Sequence, residues 1–187
     1  MRKAILVFTV LGLMGLQNGC APHPGSDLLF PKGNGAKIVT TSSQFDEMAE
    51  NSENYLGQET MLAGAVVSID HTDEGYFVLA KWLPYPKTQA DKGPVASESD
   101  GNRHFLIRFV GKRKKVFYTT RGNKFLLEGN VEGTKKALVK VFGPKRNLLY
   151  VNAKCVHIWE TGEEGKIGLN ETDIEYGETR ERTICAD

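Results

Sequence analysis

The sequence lacks the short motifs that mark common hydrolases, metalloproteases and redox enzymes. The chain carries 4 histidines and 3 cysteines, and none of them lies in a Gly-x-Ser-x-Gly, His-Glu-x-x-His or Cys-x-x-Cys pattern. The glycines at Gly33 and Gly35 lack the spacing and the flanking strand of a phosphate-binding loop. His157 follows the pattern of a core or edge histidine on a strand. We therefore predict that the chain is not an enzyme, and that it holds no metal and no small-molecule cofactor.

The sequence also lacks an apolar run long enough to cross a membrane as a helix. The run from Ala4 to Leu16 has 13 residues, whereas a spanning helix needs about 20. It follows the positive Arg2 and Lys3 and precedes a short polar stretch, an arrangement typical of a secretory signal peptide. We predict that residues 1–19 are this leader.

Cys20 comes directly after the predicted leader. The Gly19-Cys20 junction resembles a bacterial lipobox, although Gln17 replaces the usual leucine three residues before the cysteine. In such proteins the cysteine is acylated, and several acyl chains anchor stably because each buried methylene contributes about 0.8 kcal/mol. We predict a covalent lipid on Cys20 and no other cofactor; the alternative is ordinary cleavage nearby, with Cys20 left free. Ala21 is not the aspartate of an inner-membrane retention signal, which favours the outer membrane with the domain facing the periplasm.

Two segments of biased composition flank the predicted domain, which spans residues 43–160. Residues 20–42 are rich in Pro and Gly and predict a flexible tether. Residues 161–187 are rich in Glu and Gly and predict a poorly ordered acidic tail. With Cys20 acylated, Cys155 and Cys185 are the two remaining cysteines, an even number in an oxidising compartment. Either they pair and join the tail to the last strand, or they remain free thiols.

Between these flanks the pattern predicts one helix and six or seven short strands. A helix from residue 43 to about 52, capped by Ser42 or Ser43, would lay Phe45 and Met48 on the rest of the domain. A long strand within residues 55–69 has Gly64 in its middle. Further strands are predicted at residues 76–83, 103–109, 124–131, 138–142, 148–151 and 153–160.

The fold class follows from the absence of strand–helix–strand alternation, which argues against a parallel sheet. A glycine inside a long strand often marks a bulge or bend, and a bent strand can serve both sides of a small barrel. We predict a mainly-β fold, a small antiparallel barrel or sandwich with one short N-terminal helix. Our first choice is a Greek-key barrel of the oligonucleotide/oligosaccharide-binding (OB) type.

The net charge is only +1, but the charges are strongly segregated along the chain. Residues 103–154 carry 14 Lys and Arg against 2 Asp and Glu, while residues 155–187 carry 3 against 9. The basic segment is either a solvated hairpin, a partner of the chain's own acidic tail, or a site for an anionic envelope partner such as lipopolysaccharide. Nucleic acid is not expected in the periplasm. The candidate anion-binding residues are Arg103, Arg108, Lys112, Arg113, Lys114 and Lys115.

Several segments resemble, in order, the Slp outer-membrane lipoproteins of Gram-negative bacteria. They are Tyr55-x-Gly57-Gln58 with Ala63-Gly64-x-Val66-Val67-Ser68-Ile69, residues 79–84, Arg103-His104-Phe105-Leu106, residues 125–133, and Val156-His157-Ile158-Trp159. The resemblance implies a periplasmic domain anchored to the outer membrane, linked to starvation or stress, with no known catalytic residues. The function expected is a structural or binding role in the cell envelope; the alternative is a periplasmic module that binds an anionic glycolipid or polysaccharide.

Overall fold

The computed structural model describes residues 35–73, 75–86, 93–96, 101–110, 121–139, 143–161 and 180–186. In these ranges the chain forms strands and one α-helix near the start of the domain, which confirms the predicted mainly-β class. The elements, in chain order, are β1 (Lys37–Ile38), α1 (Ser42–Glu50), a 3-10 turn (Ser52–Tyr55), β2 (Glu59–Thr72), β3 (Gly75–Leu83), β4 (His104–Phe109), β5 (Lys124–Leu138), β6 (Lys145–Trp159) and β7 (Glu181–Cys185).

Strand β2 closes the sheet into a ring because it pairs with two partners. Residues 59–65 pair with β5, and residues 63–72 pair with β3. The ring therefore runs β2, β3, β4, β6, β5 and back to β2. Gly64 lies where the two partners overlap, and a Cβ atom there would stand 2.6 Å from the carbonyl oxygen of Lys81. The glycine is required by this close approach, while the register break itself lies further along, after Val66.

One seam of the ring is parallel. β4 pairs with β6 in parallel, from Phe105 opposite Leu149 to Phe109 opposite Ala153, whereas the other ring pairs are antiparallel. Strand directions cannot alternate all the way round a closed ring of five strands, so at least one neighbouring pair must be parallel, and here it is β4 with β6. Alternation within single strands carries no information on the direction of a partner, so the sequence did not reveal this seam. A five-stranded ring of this kind is the arrangement expected for the OB type.

The inside of the ring is filled by large apolar side chains. Phe105, Ile107 and Phe109 face inward from β4, as predicted, and Trp82 from β3 is fully buried. Successive residues of a strand point to opposite sides. The alternate residues, Phe77, Leu79 and Lys81 of β3 and His104, Leu106 and Arg108 of β4, therefore point outward, where they contribute to the surface considered below.

Helix α1 packs on the ring through the two residues that its periodicity predicted. Phe45 and Met48 are buried, and the ring of Phe45 lies 5.4 Å from that of Trp82. The helix is capped by Thr41, which forms a capping box with Gln44, rather than by Ser42 or Ser43. The side chain of Thr41 accepts a hydrogen bond from the backbone N–H of Gln44, and the side chain of Gln44 accepts one from the backbone N–H of Thr41.

Strands β5 and β6 are longer than predicted. β5 continues beyond the predicted end at residue 131 to Leu138, and β6 replaces the two strands predicted at residues 148–151 and 153–160. Of the strand predicted at residues 138–142, residues 140–142 lie outside the described residues. Gly129 and Gly133 lie at register shifts of the β5–β6 pair instead of at a strand end. A bulge accommodates an extra residue and lets the pairing continue.

Both flanking segments contribute to the sheet. β1 pairs with β2 and Val39 is fully buried, so the fold begins within the predicted tether of residues 20–42. β7 pairs with the second half of β6, so the predicted loose tail of residues 161–187 contains a strand. Cys155 and Cys185 lie opposite each other in this pair and form a disulfide. Backbone pairing with an existing strand and a covalent link supply order that the composition of a segment does not indicate.

Candidate anion-binding face

Arg103 does not join the predicted anion site. Its Nε and Nη2 groups donate to the two carboxylate oxygens of Asp46 on α1, each at 2.6 Å. This two-pronged geometry is the strong form of an arginine–carboxylate pair, and the hydrogen bond from Arg103 lowers the pKa of Asp46. The charge of Arg103 is thus compensated within the chain, and its assignment to an anion site is corrected.

Arg108 does lie on a surface rich in positive charge. It points outward from β4, where Phe77 of β3 and Asn152 of β6 are its direct neighbours in the sheet. Lys81 lies opposite His104 at the other end of the same strand pair. We define the basic face as the outward side of β3, β4 and β6 with the adjoining part of β5. Its residues are Phe77, Lys81, His104, Arg108, Lys135, Arg146 and Tyr150.

The basic face has an aromatic centre. The rings of Phe77 and Tyr150 are nearly parallel, with centroids 6.4 Å apart and planes inclined by 11°. The ammonium of Lys135 lies 4.3 Å from the Phe77 centroid and 5.1 Å from the Tyr150 centroid. Beside the rings, Leu79 and Leu106 form a separate apolar cluster with neighbouring side chains. The face therefore combines apolar surface with an exposed cation that lies over two aromatic rings, as in cation–π sites.

The cations of the basic face are not neutralised by carboxylates in the described ranges. None of its lysines and arginines takes part in an ion pair there. Burial lowers the pKa of His104, and the charges of Lys81 and Arg146 lower it further against the opposing bond to the carbonyl of Asn102. Asp70, opposite Phe77 on β2, places one carboxylate at the edge of the face. The face is therefore net positive, with His104 uncharged at neutral pH.

A second group of titratable side chains lies on another part of the outer surface of the ring, where β2, β5 and β6 meet. Glu128 is 5% exposed and lies beside Glu59, whose Oε1 accepts a 2.6 Å bond from Lys154. Burial, reinforced by Glu59, raises the pKa of Glu128. Burial, reinforced by Glu128, raises the pKa of Tyr85 to about 12. Raised pKa values also occur in active sites, but both side chains here are buried, so neither presents a reactive atom at the surface.

His157 is a buried histidine on β6. It is 4% exposed, its Nδ1 lies 2.7 Å from Thr183 Oγ1, and its Nε2 lies 3.4 Å from Glu181 Oε2. Burial lowers its pKa, and Glu181 opposes this effect. The contacts join β6 to β7, so His157 acts here as part of the strand pair.

Neither a metal site nor a membrane-spanning helix is found in the ranges that the structure describes. No group of three or more His, Cys, Asp and Glu side chains is arranged there to hold a metal ion. No helix within the same ranges is long and apolar enough to cross a bilayer.

The remaining predicted residues, Cys20 and residues 112–115, lie outside the described residues. Conversely, the sequence missed Phe77, Lys135 and Tyr150. Alternation along residues 75–83 does put Phe77 on the outward side with Lys81, so the position of Phe77 on this face could have been predicted from the sequence. The other two could not be joined to Phe77 without knowing that β6 lies beside β4, the parallel seam described above.

Comparison of the chain with models of known protein families, with characterised proteins and with solved structures returns no match, so the argument for function comes from the chain's own geometry.

Proposed function

We propose that the chain is an exported lipoprotein of the Slp type, held at the outer membrane by a lipid on Cys20. Its ring domain faces the periplasm and uses the basic face to bind an anionic partner in the envelope, a glycolipid or a polysaccharide. The observation that carries the binding role is the cluster of cations on the same face as the aromatic pair of Phe77 and Tyr150, none of which forms an ion pair within the described ranges. The leader and the junction at Cys20 support the location.

The physical reason for this proposal is that unpaired cations on one face attract polyanions over a distance. Surface charges act over roughly 8 Å at physiological ionic strength, so neighbouring cations on adjacent strands add their fields. The aromatic pair supplies a contact that salt does not screen. We expect binding that weakens with added salt but retains a residual, salt-insensitive part.

The basic face is tested by two neighbouring lysines of β5. Lys135 contacts the aromatic pair, whereas Lys136 is the next residue and points to the opposite side of the strand. Binding of the purified chain to lipopolysaccharide and to phosphatidylglycerol vesicles should fall about twofold to fivefold for Lys135→Gln, as expected for one exposed cation beside aromatic rings. Lys136→Gln is the matched control and should bind as wild type. Equal binding by wild type and Lys135→Gln would remove the basic face as the site.

The anchor is tested separately. Cells making the wild-type chain or Cys20→Ala are labelled with palmitate and fractionated, and the mass of the mature N-terminus is measured. Label on the wild type alone, in the outer-membrane fraction, is the expected result. An unlabelled wild-type chain with a free N-terminal region would leave ordinary cleavage, and the location would then be a soluble one.

A structural role in the envelope, without a ligand, is the second candidate. It is favoured by the closed ring and by the disulfide between Cys155 and Cys185, which suit a durable domain. Failure of the wild-type chain to bind either anionic probe, with anchoring intact, would leave this role in place of the binding role.

A further inference from the structure

Three residues whose side chains point outward lie side by side on the neighbouring strands β4, β6 and β5. Arg108 lies opposite Asn152 of β6, and Asn152 lies opposite Asn130 of β5. Directly opposed residues of neighbouring strands point to the same side of a sheet, so these side chains share the outer surface. We call Arg108, Asn152 and Asn130 the polar row. The row is continuous with the basic face, because Phe77 is the neighbour of Arg108 on β3.

Each residue of the polar row has an unused hydrogen-bonding atom. Arg108 Nε, Asn152 Oδ1 and Asn130 Oδ1 are buried and have no hydrogen-bond partner within the described part of the chain. Asn130 Nδ2 donates to the carbonyl oxygen of Gly57 at 3.2 Å, so the amide is oriented with its oxygen as the free atom. A buried polar atom without a partner costs about 1–3 kcal/mol. The three side chains are themselves only partly buried, so a small rotation of each would present its unused atom to a ligand at the outer surface.

The unused atoms define the chemistry of the ligand. The row offers one donor and two acceptors over two strand spacings, a span of about 10 Å. A phosphodiester, as in a phospholipid headgroup, has only acceptor oxygens on its phosphate near neutral pH, and that phosphate would face the two amide oxygens unfavourably. A hydroxyl both donates and accepts, so neighbouring hydroxyls satisfy all three atoms. A chain of sugars provides such hydroxyls, and its apolar ring faces suit the rings of Phe77 and Tyr150.

We propose that the polar row is a carbohydrate-binding strip that takes an acidic polysaccharide. Sugar hydroxyls bond to Arg108, Asn152 and Asn130, while the acidic groups of the same polymer lie against the lysines and arginines of the basic face. This proposal rests on the proposed function, since it names the ligand class for the same surface. It differs from a purely electrostatic site because it assigns affinity to two uncharged asparagines.

The experiment separates hydrogen bonding from charge by its choice of variants. Asn152→Ala removes one row acceptor without changing charge, and Asn147→Ala, at an exposed asparagine of the same strand, is its matched control. Arg108→Lys keeps the charge but removes the Nε–H donor. Lys135→Gln removes charge outside the row. The full chain, purified from membranes in detergent, is titrated with polygalacturonate, with neutral dextran, and with phosphatidylglycerol vesicles.

We expect the wild type to bind polygalacturonate more tightly than dextran. Asn152→Ala and Arg108→Lys should each weaken polygalacturonate binding about fivefold to tenfold, the equivalent of one hydrogen bond. Asn152→Ala should leave vesicle binding unchanged, and Asn147→Ala should match the wild type throughout. Lys135→Gln should weaken binding to both anionic probes. Thermal unfolding of each variant verifies the fold, and Arg108→Lys decides the question if Asn152→Ala does not fold.

Two results would overturn the carbohydrate strip while leaving the proposed function intact. In the first, Asn152→Ala and Arg108→Lys bind polygalacturonate like the wild type while Lys135→Gln does not, which means that only charge is used. In the second, the wild type binds the vesicles but not polygalacturonate, which identifies a lipid surface as the partner. Absence of binding to both anionic probes would refute the proposed binding function as well.

Discussion

The disulfide between Cys155 and Cys185 should be a major source of stability for this small domain. The two cysteines are 30 residues apart in sequence. Closing a loop of that length removes conformational freedom from the unfolded chain, and the chain-entropy relation gives about 3.5 kcal/mol at 25 °C. Marginally stable domains have only about 5–15 kcal/mol in total. Loss of the bond would therefore remove a large part of the free energy of unfolding.

The perturbation is the double variant Cys155→Ala with Cys185→Ala, which leaves no unpaired thiol in this strand pair. We expect its midpoint in urea to fall, and its melting temperature to drop by roughly 10–15 °C for a domain of this size. Adding a reductant to the wild type should produce a similar loss, whereas the double variant should not respond to it. The exchange rates of backbone amide hydrogens should increase most in β7 and in the half of β6 that pairs with it.

The reasoning would be refuted by equal urea midpoints for the oxidised wild type, the reduced wild type and the double variant. Non-reducing peptide mapping accompanies the measurement, because two free thiols in the native chain would remove its premise. If only the amides of β7 lost protection from exchange and the urea midpoint did not change, the strand would open locally and the loop-closure estimate would not apply.

Three further predictions follow from individual side chains. Gly64→Ala should destabilise the domain by about 1–3 kcal/mol in urea titration, because the new Cβ meets the Lys81 carbonyl at 2.6 Å; an unchanged midpoint would show that the two strands separate easily. Burial raises the pKa of Glu128, so the native state favours the protonated acid and stability falls as pH rises above the ordinary value. Glu128→Gln should therefore raise the melting temperature at neutral pH and flatten this pH dependence, and the opposite change would show that the charged form is stabilised in place. Burial lowers the pKa of His104, so this side chain becomes charged only at a pH below its ordinary pKa. Binding to phosphatidylglycerol vesicles should therefore strengthen on acidification. His104→Gln should lose this increase in binding, whereas the control His71→Gln should keep it.

Much of the interior could be predicted because local periodicity determines which residues turn inward. Phe105, Ile107 and Phe109 follow strict alternation, and Phe45 with Met48 follows helical spacing. These patterns depend only on the geometry of one element. They were therefore readable without knowledge of any partner.

The candidate site could be predicted only in part, because it is made by pairing between distant strands. Arg103 and Arg108 looked equivalent in sequence, but Arg103 meets Asp46 from a helix more than fifty positions earlier. Lys135 reaches the rings of Phe77 and Tyr150 only because β6 inserts beside β4. Charge clustering along the chain indicated a basic region, but not which of its charges remain free.

The two-partner arrangement of β6 has a consequence for assembly. Along its first half the strand is flanked by β4 and β5, but along its second half β7 takes the place of β4. If β7 detached, the backbone groups of residues 155–159 would become an open template on which another chain could add a strand. We therefore expect the protein to associate edge to edge when it is produced in a reducing cytosol, and to stay dispersed once the disulfide between Cys155 and Cys185 has formed.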